Sequence, residues 1–123
     1  MKRIAILIIL LLAACSGGGS SGGDPAKTVE SYLQAKIAGD EDALRGLLCA
    51  DMEADLAREA RAFASVSNVT LDGVLCTYNA DASTVTCDGA IVAEYGAENT
   101  RFPLSTYRVT QEDGEWRWCG EAG

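Results

Sequence analysis

The chain has no histidine and only two prolines, and its ten lysines and arginines face eighteen aspartates and glutamates. Each shortage closes off a set of functions. Without histidine, Ser/His/Asp and Cys/His catalysis are excluded, because neither has the base that takes the nucleophile's proton. Zinc loses its usual nitrogen ligand and no CxxC pair replaces it, so neither a metal nor a cofactor is expected. The cationic deficit leaves a formal charge of −8 with no basic cluster to offset it. Phosphate backbones are repelled by such a surface, which rules out nucleic acid as a partner. A membrane-crossing helix needs about 20 apolar residues, and the run from Ile4 to Ala14 has eleven.

That short run is informative in another way. Lys2 and Arg3 precede it, Ala13 and Ala14 close it, and Cys15 follows. A basic start, a short apolar stretch and small residues at its end make an export signal. Leu12-Ala13-Ala14-Cys15 resembles the lipobox of bacterial lipoproteins. The resemblance implies cleavage between Ala14 and Cys15, with diacylglycerol and palmitate chains on the new terminal cysteine. Two or more chains give stable membrane residence where one does not. Ser16 stands where inner-membrane lipoproteins of two-membrane bacteria carry aspartate, which points to the periplasmic side of the outer membrane. In a one-membrane host the same anchor holds the protein on the outer face of the plasma membrane.

Residues 1–14 therefore read as signal peptide, and 15–23 as the lipidated cysteine with a Gly/Ser tether. By coil scaling, eight such residues span about 15 Å. Residues 24–123 are enough for one compact domain. Its eight basic against eighteen acidic residues give −10.

Four cysteines remain, Cys49, Cys76, Cys87 and Cys119, an even number in an exported chain. Two disulfides are the natural reading. Alternating, β-branched residues at 74–78 and 84–93 flank turn-forming Asn79 to Ser83. A hairpin centred between Asp81 and Ala82 sets Cys76 opposite Cys87, leaving Cys49 for Cys119. On the loop-entropy model the two closures contribute about 3 and about 4 kcal/mol.

The pattern runs from helices to strands. Asp24-Pro25 opens a helix with Val29, Tyr32, Leu33 and Ile37 on one face and Gly39 at its end. Asp40 to Asp42 cap a second, burying Ala43, Leu44, Leu47 and Leu48. A third, 52–64, is expected to bury Leu56, Ala60 and Phe63 and to expose Glu53, Arg58, Glu59 and Arg61. From Val69 the period becomes two, with strands expected at 69–78, 84–95, 100–110 and 115–119, Pro103 marking an edge or bulge. This is an α+β layout, helices packed on one face of a curved antiparallel sheet of about four strands.

The run Val29-Glu30-Ser31-Tyr32-Leu33-Gln34-Ala35-Lys36-Ile37-Ala38-Gly39-Asp40 resembles the opening of the NTF2-like (cystatin-like) superfamily. Tyr107 to Trp118, with an Asp113-Gly114 turn leading into a tryptophan-bearing strand, is similar to its closing hairpin. The resemblance implies a cone enclosing a pocket, often paired with a second copy through the sheet. It also places the chain among small lipoproteins of unknown function. Asp72, Asp88 and Glu94 read as the solvent face of a half-buried sheet, so no catalytic residue is assigned. The expected function is that of a non-enzymatic accessory or binding lipoprotein, taking a small apolar ligand or an envelope protein. The alternative is an isomerase or lyase working in the cone. Tyr32, Tyr78, Tyr95 and Trp116 are the candidate ligand-binding aromatics, although core packing also explains them. Trp116 and Trp118 alternate with Cys119, so a bridge from Cys119 to the helical layer would turn both tryptophans away, unless the irregular end at Gly120 reorients the thiol.

Overall fold

The computed structural model describes residues 23–122, so the expected signal peptide, Cys15 and the tether through residue 22 lie outside it. Helix α1, Pro25–Ala38, begins where the Asp24 carboxylate accepts the Ala26 N–H at 2.9 Å. Proline is suited to its first position because that N–H has no helical partner. It ends at Gly39, whose φ of 66° directs its N–H back to the carbonyls of Ala35 and Lys36. Helix α2, Glu41–Leu47, is capped by Asp40 on the Ala43 N–H at 3.1 Å. Val29, Tyr32, Leu33 and Leu44 are all but sealed from solvent, as their helical spacing requires.

Five antiparallel strands follow: β1 Ser67–Asn79, β2 Thr84–Tyr95, β3 Glu98–Pro103, β4 Thr106–Glu112 and β5 Glu115–Glu121. The order is β1-β2-β4-β5, with β3 also paired to β2. The strand expected over 100–110 is thus two strands, and the reason lies at Gly89. Its φ is 98°, and a Cβ there would sit 2.5 Å from the Asp72 carbonyl oxygen, an approach only glycine permits. β2 bends at this point while β1 slips register between Asp72 and Leu75. The first half of β2 pairs with β4, Val85 opposite Tyr107, and the second half pairs with β3, Ile91 opposite Phe102. The chain crosses between the two partners at Leu104 and Ser105. There the Leu104 N–H donates to Gly89 at 2.9 Å and Ser105 accepts from Cys87 at 3.0 Å.

The helices cover the concave face of this bent sheet, where Val85, Tyr107, Val109 and Trp118 meet Val29, Leu33 and Leu44. Both cysteine pairs are at bonding distance, Cys76 to Cys87 at 2.03 Å and Cys49 to Cys119 at 2.04 Å. Cys76 lies opposite Cys87 in the hairpin. The conflict between Cys119 and the tryptophans disappears at the sheet edge. Leu48 forms a parallel bridge with Trp118, and the Cys49 N–H donates to the Trp118 carbonyl at 2.9 Å. Cys49 therefore meets Cys119 alongside β5 rather than above it, and Trp118 is free to enter the core, where it is 3% exposed.

The third helix is shorter than expected. Ala50–Asp55 is a 3-10 helix, and α3 spans only Leu56–Ala60. Beyond it, Ala64 donates to Arg61 and Val66 to Phe63, bonds three residues apart that tighten the chain into turns. Neither start has a side-chain cap, and the Cys49 attachment to β5 dictates where the segment begins. Among the described residues no helix is long and apolar enough to cross a membrane.

Candidate functional site

A cavity of about 340 Å³ opens between the second half of α1, residues 52–63 and the bend of the sheet. α1 supplies Tyr32, Leu33 and Lys36 because positions 32, 33 and 36 share one helical face. Trp118 stacks on Tyr32 with ring centres 3.9 Å apart and planes 12° from parallel. Tyr107 meets the Tyr32 ring edge-on at 6.4 Å. Such pairs add to what simple burial contributes. Phe63 and Phe102, 6.0 Å apart, close the opposite side.

One polar cluster interrupts these apolar walls. The Tyr32 hydroxyl donates to Glu59 Oε1 at 2.9 Å, and Lys36 Nζ lies 3.1 Å from Glu59 Oε2 and 3.3 Å from the Tyr32 hydroxyl. The Lys36 ammonium lies 5.6 Å from the centre of the Tyr32 ring, at its hydroxyl edge. Glu59, expected on the exposed face of its helix, instead points inward, its side chain 12% exposed. Leu56, Ala60 and Phe63 pack half-buried against the core, the face their spacing predicts, and α3 also leans on α1 through this carboxylate. Burial, reinforced by the Glu59 charge and its hydrogen bond, holds the Tyr32 phenol well above the ordinary tyrosine range. Tyr107 is raised as well, first by burial and then by the charges of Glu121 and Glu59, against a lowering hydrogen bond from the Ser105 N–H. Trp118 Nε1 is buried without a hydrogen-bond partner.

Of the four aromatics named from sequence, only Tyr32 lines this cavity. Tyr78 and Trp116 pack edge-to-face on each other at 5.4 Å, elsewhere on the concave surface. Tyr95 lies at the end of β2, exposed, with its ring 6.2 Å from Phe102. Tyr107 and Trp118, aromatics that could also converge on the cone from sequence but stood outside the four candidates, line the cavity, and sequence reasoning missed Lys36 and Glu59. The spacing of Lys36 four residues after Tyr32 was a usable signal for the first turn of the site. Asp72 is exposed and paired with Arg101 at 2.6 Å, Asp88 is exposed, and Glu94 bonds Asn68 at 2.7 Å. None of the three lines the cavity. Among the described residues no group of histidines, cysteines or carboxylates is arranged to hold a metal.

No family model and no curated protein matches the chain. Among solved structures it is similar to a designed NTF2-like protein, Rd1NTF2_05 carrying five substitutions. The match is 18% identical and covers 79% of this chain and 94% of that one, with a TM-score of 0.50. At that identity the likeness concerns architecture alone. The fold is NTF2-like, a helical layer on a curved antiparallel sheet.

Proposed function

We propose that the chain is a lipid-anchored envelope lipoprotein whose NTF2-like domain binds a small, largely apolar molecule in its cone. The cavity carries this reading. It has aromatic and aliphatic walls and a few polar groups converging at one side, the usual composition of a small-molecule site. The export signal and Cys15 supply the anchor, and two disulfides accord with an oxidising compartment.

Two experiments test it. Cells expressing the wild type should incorporate labelled palmitate into this protein, and Cys15→Ser should abolish the label; labelling that survives the substitution rejects the anchor. In nanodiscs, the neutral dye N-phenyl-1-naphthylamine should bind one per chain above the empty-disc background. Met52→Trp, which fills the cavity from its rim, should remove that binding, and unchanged binding rejects the site.

One observation favours a second reading, an isomerase or lyase. A carboxylate within hydrogen-bond reach of a tyrosine inside the cone is what acid–base chemistry requires. Both Glu59 oxygens are already engaged, however, one by Tyr32 and the other by Lys36. A substrate would have to displace a partner before Glu59 could take its proton, so binding is the reading we favour.

A further inference from the structure

The charges around the cavity are unequal, and the imbalance bears on what can enter. Lys36 is spent on Glu59, while Glu121, at the end of β5, also lines the cavity. Among the described residues no lysine or arginine forms a salt bridge with Glu121. One lysine against two glutamates leaves a net negative lining in a strongly acidic molecule. The site already accommodates one ammonium group, since Lys36 Nζ lies beside the Tyr32 hydroxyl and against a carboxylate. Glu121 offers a second carboxylate on the same cavity, with no lysine or arginine salt-bridged to it among the described residues.

Resting on the pocket reading above, we infer that the cone selects small amines: molecules with an apolar or aromatic body and a protonated nitrogen for Glu121. Anionic molecules of the same shape are excluded. A carboxylate ligand would meet the exposed Glu121 carboxylate and the largely buried Glu59 carboxylate, with the stronger repulsion beside Glu59, where less water screens it. The two tyrosines register the same field, because Glu59 and Glu121 each disfavour a second negative charge there. The overall acidity also concentrates cations near the protein before they bind.

The test uses three probes of one skeleton: phenethylamine, 2-phenylethanol and phenylacetate, titrated calorimetrically into the disulfide-bonded full protein in zwitterionic nanodiscs. Phenethylamine should bind at least about tenfold tighter than phenylacetate, the factor that about 1.4 kcal/mol provides. Glu121→Gln should erase most of that preference. Asp81→Asn, which removes one carboxylate from an exposed turn, should leave it intact and so distinguishes the local charge from the net charge. Equal binding of all three probes, tighter binding of phenylacetate, or a preference untouched by Glu121→Gln overturns the amine assignment while the pocket stands. No binding by any probe, together with dye binding indifferent to Met52→Trp, removes the pocket and the assignment together.

Discussion

Along α1 and the β2-β4-β5 part of the sheet the molecule is closed by carbon packing, with Val29, Leu33, Leu44 and Val85 at most 1% exposed. Across the cavity, residues 50–60 and the whole of β3 contribute no fully buried side chain. What holds that outer wall is the β2–β3 ladder, half-buried packing of Met52, Leu56, Ala60 and Phe63 on the core, and a few point contacts: Glu59 to Tyr32 and Lys36, Phe63 to Phe102, and Arg101 to Asp72. The difference separates scaffold from site. Apolar burial supplies most of the folding free energy, whereas part-exposed ion pairs and single aromatic contacts contribute little each. A wall of that kind opens locally at lower cost than the core does, which suits the side from which a ligand enters.

The comparison is most exposed to failure at the link between the regions. Replacing both Cys49 and Cys119 by alanine should cost about 4 kcal/mol in urea unfolding, on the entropy expected for a loop of that size. Hydrogen exchange at 50–66 should accelerate first, because Cys49 fixes where the outer wall starts. Uniform acceleration across α1 and β5 would show that the wall is not a separate unit. Leu33→Ala, made inside the scaffold, should cost about 2–5 kcal/mol, the range for truncating a sealed core side chain. A smaller loss than any single outer-wall substitution produces would reverse the comparison.

The same division governs what could be read from sequence. α1 and α2 announce themselves by cap residues and a helical stripe of Val29, Tyr32, Leu33 and Leu44, and the Cys76–Cys87 register follows from a turn and an alternating pattern. These are local signals backed by burial. The outer wall offers none. Residues 52–64 carry a helical pattern that tertiary attachment at Cys49 cuts to five residues of α-helix. The break between β3 and β4 follows from a bend at Gly89 on another strand, information that residues 100–110 do not contain. For the site, Tyr32 was accessible because it lies on the core stripe. Glu59 was not, because its inward turn depends on a partner 27 positions away. Trp118 was accessible as a core residue, but its place over Tyr32 required knowing that Cys49 reaches Cys119 from the side.

Tyr32 and Tyr107 join the two regions, and their ionisation gives a third way to sharpen the contrast. Both folded values are raised above the ordinary 10.0. The neutral phenol is thus favoured by the folded state, a contribution fully present below pH 10 and lost as the pH climbs above it. Unfolding free energy should fall with rising pH in that alkaline window. Tyr32→Phe should flatten the fall, and Glu59→Gln should flatten it partly by removing the charge beside the phenol. A profile identical in wild type and Tyr32→Phe would mean that burial at the seam imposes no such bias.

The smallest expected effect concerns the outer wall alone. Arg101 and Asp72 make a close pair between β3 and β1, yet each side chain is more than half exposed. Water and salt screen such a pair, and ordering two long side chains offsets much of the attraction. A double-mutant cycle with Arg101→Ala and Asp72→Ala should return a coupling of about 0–1 kcal/mol, shrinking further in high salt. A coupling well above that range would mean that β3 is clamped as firmly as the scaffold. The outer wall would then resist opening, and a ligand would have to enter past Glu121 at the end of β5 instead.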